Sequence, residues 1–136
     1  MLNIPIYRAK KIDSDEYVIG YYFDGFLSII KQYNNIILTA NNERFDIDPL
    51  TLSIHFPDMI ASDSNRLLPN GEKDLRIFAS LSEDGKGGDK ILLSNYLQWR
   101  DDKVEVVANY GGSVISGFNN CFFHKKFKPK IIGIQQ

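Results

Sequence analysis

Apolar and polar positions alternate along much of this chain with a period of two, the signature of strands with one face buried. The stretch from Ile4 and Ile6 through YRAKKI reads as a first strand, and the cluster Asp13-Ser14-Asp15 as a turn. EYVIGYYF (16–23) returns as a second strand. Asp24-Gly25 is a strong hairpin signal and predicts the next turn. FLSIIKQY and IILTA, separated by Asn34-Asn35, predict another strand pair. A short helix over FLSIIKQY is the alternative, since Phe26, Ile29, Ile30 and Tyr33 fit a helical face. LTLSIHF (50–56) alternates again after Asp48-Pro49 and predicts a strand with Leu50, Leu52, Ile54 and Phe56 on one side. Residues 57–74 lack periodicity and contain Asn70-Gly71, so they read as a long loop. Strands are then expected at 75–81, 90–93, 95–100, 103–110 and 130–134. The pattern predicts a mainly β protein, β-rich α+β at most. It forms one unit over 1–136, with an N-terminal β-hairpin lobe (1–74) and a C-terminal lobe (75–136) of the size of an SH3-like small barrel.

Composition fits that picture without adding a function. Apolar residues make up 43 % of the 136, enough for a hydrophobic interior, and the seventeen aromatic residues favour half-buried strands. The net charge of −1 argues against a protein that coats nucleic acid through its whole surface. The charge is uneven, however. Residues 122–136 hold Lys125, Lys126, Lys128 and Lys130 and no acid, leaving −5 on the remainder. Aromatics interleaved with lysines in FFHKKFKPK are what single-strand binding uses, so these four lysines are the candidate nucleic-acid contacts. The competing reading is an edge strand whose phenylalanines face the core and whose lysines face water. One cysteine, Cys121, excludes an internal disulfide. MLNIPIYRAKK lacks the pattern of a signal peptide, and no apolar run approaches a membrane-spanning length. The expected location is therefore the cytoplasm, with no membrane partner.

The chemical candidates fail one by one. IFASLSEDGKGGDKILL concentrates glycines beside Lys86, yet Lys86 is followed by Gly87 where a phosphate loop needs Ser or Thr. Glu83, Asp84 and Asp89 would repel a phosphate, so Gly85, Gly87 and Gly88 are expected to form a solvated, disordered hairpin tip. His55, Cys121 and His124 are too few for a zinc site, and the paired acids at 13–15 and 46–48 lack the rest of a calcium loop. Cys121 lies among aromatics, where an inert buried thiol is the simpler reading. The expectation is a non-enzymatic protein with no catalytic residues, no cofactor and no metal.

Several segments in order resemble the YopX family of phage and prophage proteins: YRAKKIDSDEYVIGYY, FDIDPLTL, PNGEKDLRIF with the later Gly-Gly-Asp, and the closing KIIGI. The chain departs from the family pattern by inserting FASLSEDGKG between Ile77 and Gly88-Asp89, and by Ile134 after Gly133. The resemblance implies a mostly β fold with an SH3-like C-terminal barrel, encoded by a phage or prophage and working in the cytoplasm of a bacterial host. It carries no assigned activity. The expected role is that of an accessory protein acting by protein–protein contact and self-association, with a host or phage protein as a further partner. A nucleic-acid-binding module using the C-terminal segment is the alternative. Tyr21, Tyr22 and Phe23 run consecutively, so alternation must send at least one aromatic ring away from the core. This predicts a homo-oligomer.

Overall fold

The computed structural model describes residues 5–27, 32–94, 103–110 and 128–136. Among them the fold is mainly β, in two sheets. The six-stranded sheet has the order β4-β3-β2-β1-β5-β7 and the four-stranded sheet the order β6-β10-β8-β9. The first contains β1 (Ile6–Lys10), β2 (Tyr17–Leu27), β3 (Gln32–Leu38), β4 (Arg44–Asp46), β5 (Ser53–His55) and β7 (Ala79–Ser80). The second contains β6 (Asp63–Ser64), β8 (Asp89–Ser94), β9 (Lys103–Val107) and β10 (Lys130–Ile134). The sheets interlock along the chain. β6, from the first predicted lobe, pairs in parallel with β10, while β7, from the second, pairs with β5.

The first hairpins follow the alternation, but the predicted turns move. Asp24 and Gly25 lie inside β2 and pair with Asn35 and Asn34 inside β3. The two turn-prone dipeptides thus face each other within one long ribbon, and cross-strand pairing overrides their local preference. Phe26 and Leu27 belong to β2, and Gln32 and Tyr33 to β3, so the described ends of FLSIIKQY are strand and not helix. The predicted strand at 50–56 is shortened. The Asp48 side chain accepts from the Leu50 amide, Pro49 opens a single 3-10 turn over Pro49–Thr51, and Leu50 is left exposed. Likewise 75–81 contributes only β7 and an isolated bridge at Arg76. The segment 57–74 is no unstructured loop: it supplies β6, buries Met59 and Ala61, and turns at Gly71 with φ +88°. The strand expected at 95–100 lies outside the described residues.

Two apolar cores result. Ala9, Val18, Ile37, Ile47 and Leu52 form one, flanked by Tyr7, Tyr22 and Phe45. Met59, Ala61, Ile77, Ala79, Ile91, Leu93, Ala108 and Ile131 form the other. Arg8 alternates with Ala9, and Phe78 alternates with Ile77 and Ala79. Both therefore turn their side chains to the side opposite their core neighbours.

Candidate functional site

That layer holds a buried cluster of opposite charges. Arg8 is 2 % exposed and Asp89, the first residue of β8, is fully buried. Arg8 Nη2 pairs with Asp89 Oδ1 at 2.8 Å and donates to the Gly87 carbonyl at 2.7 Å. Arg66 donates from Nη1 to Asp89 Oδ1 at 2.8 Å and from Nη2 to Oδ2 at 3.2 Å. The Phe78 amide donates to Asp89 Oδ2 at 2.8 Å. Arg66 Nε reaches Asp74 at 3.1 Å, and Arg76 grips the same carboxylate from Nε and Nη2 at 2.8 and 2.9 Å. Arg66 Nη2 also donates to the Arg76 carbonyl at 2.8 Å. The Phe78 ring lies at the centre, with the guanidinium carbons of Arg8, Arg76 and Arg66 at 4.6, 5.6 and 5.8 Å from its centroid.

Three cations thus meet two carboxylates. The imbalance falls on Arg8, whose Nε and Nη1 are buried without a hydrogen-bond partner. Its guanidinium lies over Phe78 and also over Tyr17, at 5.6 Å, so ring faces take the place of acceptors. Burial pulls the Arg8 pKa down, while Asp89 holds it up. Burial pushes Asp74 up, but Arg76 and Arg66 outweigh it and set its carboxyl at about 2. His55 is buried too, with Nδ1 2.9 Å from the Ile77 carbonyl and its ring 5.5 Å from Phe78; burial lowers its pKa despite that hydrogen bond.

The glycine-rich stretch is part of this layer, which corrects the expectation of a solvated tip. Gly85, Gly87 and Gly88 are all buried. Gly85 and Gly87 have φ +78° and +80°. A Cβ on Gly87 would sit 1.9 Å from the Thr51 carbonyl oxygen, so glycine is required by close backbone approach and by the dihedral together. The carbonyl of Gly87 is then free to receive Arg8.

Chemically the cluster is a clasp. Every carboxylate oxygen of Asp74 and Asp89 already accepts from a donor. No group of three or more His, Cys, Asp or Glu is placed to hold a metal among the described residues. Arg8 on β1, Arg66 to Phe78 in the connecting segment and Asp89 on β8 tie the two sheets together. Their positions conceal them: Arg66 and Asp74 lie in the stretch without periodicity, and Asp89 follows the glycine-rich turn. The one local signal was Arg8 itself, set between apolar neighbours in IYRAKK.

Of the predicted nucleic-acid contacts, Lys128 is exposed with φ 44° and Lys130 is half-buried at the start of β10, opposite Asp63 on β6. Lys125 and Lys126 lie outside the described residues, as do Cys121 and His124. Beside the clasp, a cleft of about 390 Å³ lies between β10 and the β1–β2 turn, lined among others by Tyr17, Asp15, Asn65 and Arg66. No helix among the described residues is long and apolar enough to cross a membrane.

These pKa directions set the acid response. The His55 and Asp74 shifts are both downward, so the folded state binds fewer protons than the unfolded chain and stability is lost as pH falls. His55 acts first, below its ordinary value of 6.5; Asp74 follows between 3.8 and about 2. Urea titrations across pH should show the midpoint dropping in these two windows. His55→Gln should remove the first drop only; an unchanged profile in that variant would assign it elsewhere.

Protein-family models, curated proteins and solved structures were compared with the chain, and none gave a significant match.

Proposed function

We propose that this protein is a non-enzymatic binding module that works by self-association through the outer face of β2 and β3. The observation that carries this reading is the placement of Tyr21 and Phe23, 48 % and 52 % exposed on one face of β2, while Tyr22 between them packs against the core. Across the strand pair, Tyr21 lies opposite Leu38 and Phe23 opposite Ile36. Arg44 and Asp46 of β4 continue the same rows, opposite Leu38 and Ile36. The result is an apolar patch edged by one cation and one anion. A patch carrying both signs is complementary to a copy of itself turned by a two-fold rotation, which an isologous dimer requires. The buried charges support the reading from the other direction, since they are consumed in holding the sheets.

The source belongs to the same proposal. The segments that resemble the YopX family supply Arg8, Asp74, Arg76 and Asp89, which meet in the one clasp, and this convergence supports reading them as a set. On that basis the chain is a phage or prophage accessory protein of the bacterial cytoplasm, with an SH3-like arrangement in its C-terminal half. Light scattering across the micromolar range should report a mass above that of one chain. A strictly monomeric mass throughout would refute self-association. Salt-sensitive binding to single-stranded DNA, lost on charge reversal at Lys128 and Lys130, would favour the nucleic-acid alternative.

A further inference from the structure

The apolar patch on β2 and β3 is ordered in rows, and the rows restrict how a second copy can meet it. Directly opposite residues in an antiparallel ladder point to the same face. Tyr21, Leu38 and Arg44 therefore form one row across β2, β3 and β4, and Phe23, Ile36 and Asp46 form another. The residues between the rows, Tyr22, Ile37 and Phe45, turn the other way and pack in the core. Each row starts at an exposed ring on β2, crosses a half-buried aliphatic residue on β3 and ends at an exposed charge on β4. The rows differ chiefly in the sign of that charge.

Those two charges have no counterpart within the chain. On the neighbouring β1–β2 hairpin the exposed charges are paired, Lys10 with Asp15 at 3.3 Å and Lys11 with Glu16 at 2.8 Å. Among the described residues, the side chains of Arg44 and Asp46 enter no ion pair. Two sheet faces related by a two-fold rotation share an axis lying in the plane between them. An axis along the strands would set each row on the same row of the second copy. Arg44 would then meet Tyr21 or another Arg44, and Asp46 would meet Phe23 or another Asp46. Like charges repel, and the face of an aromatic ring is negative, so neither suits the aspartate. An axis across the strands, between the rows, sets each row on the other row of the second copy. Arg44 then faces Asp46 twice over, Leu38 faces Ile36 and Tyr21 faces Phe23. Charge complementarity selects this second axis.

We propose that the face meets its copy about an axis running across the strands, so that Arg44 of each protomer pairs with Asp46 of the other. This arrangement rests on the self-association proposed above and specifies its geometry and its matching charges. Sedimentation velocity on the full chain tests it with three variants: Arg44→Asp, Asp46→Arg and the exchange of both. Both positions are exposed, so the unfolding midpoints should match that of the unmodified chain. Either single variant sets like charges against each other at both pairs, and should associate about tenfold more weakly or worse. A one-to-one mixture of the two single variants restores opposite charges at both pairs and should recover the unmodified affinity. The double exchange should recover it by itself, which decides the matter even where a single variant folds poorly. Single variants that associate as strongly as the unmodified chain would overturn the arrangement. So would a mixture and a double exchange that both fail to recover. In either case, dissociation by Tyr21→Ser/Phe23→Ser would leave the face itself standing as the site of self-association. A strictly monomeric unmodified chain would overturn both.

Discussion

Asp89→Ala is expected to destabilise the fold by about 3–5 kcal/mol, the range for removing one partner of a buried ion pair. The loss is large because three donors depend on that carboxylate: Arg8, Arg66 and the Phe78 amide. Arg8 has no route to solvent at 2 % exposure, and two of its nitrogens are already without acceptors. Total stabilities of domains are about 5–15 kcal/mol, so a sizeable unfolded fraction follows. The reverse truncation should be milder. Arg8→Met removes the surplus cation and its orphaned N–H groups, while Asp89 keeps Arg66 and Phe78 as donors. Its cost should be well below that of Asp89→Ala, and replacement of a buried charge by an apolar side chain can even be neutral. Urea unfolding of the two variants gives the order. Equal losses would show that the surplus charge on Arg8 has no energetic consequence.

Gly87→Ala should be the most damaging of the glycine substitutions. The left-handed dihedral alone costs an L-residue about 1–2 kcal/mol. The added methyl would also meet the Thr51 backbone at 1.9 Å from oxygen and 2.6 Å from carbon, where no flexible side chain can give way. Overpacking of this kind adds about 1–3 kcal/mol, and the shift it forces would draw Gly87 away from Arg8. Gly71→Ala is the matched control. Its φ is +88°, but nothing lies within 4 Å of a Cβ there, so it should show the dihedral cost alone. Thermal unfolding should place the first well below the second; equal midpoints would mean that the 49–52 turn yields to the methyl.

Those two sites mark the limit of what the sequence makes legible. Alternation alone was enough for β1, β2, β8 and β10, and the run Tyr21-Tyr22-Phe23 was enough to require an outward aromatic. Position in the hairpin was harder, because Asp24-Gly25 and Asn34-Asn35 are good turn formers that here pair with each other across a long ribbon. Leu50 misled for a different reason: it has the right spacing for a strand face, but the Asp48 cap and Pro49 turn the chain first. The clasp was the least legible feature. Arg8 and Asp89 are distant in sequence, and the apolar neighbours of Arg8 say nothing of its partner. The glycines near Asp89 carried the clue, but their role depends on a backbone contact with Thr51 that no local pattern encodes.

The claim that the β2–β3 face is the working surface is tested most directly by sedimentation velocity on Tyr21→Ser/Phe23→Ser beside the unmodified chain. Both substitutions fall on exposed rings, so the fold and its unfolding midpoint should be retained. The unmodified protein should sediment as an oligomer and the variant as a monomer at the same concentration. A variant that stays folded and sediments as the unmodified protein does would contradict it.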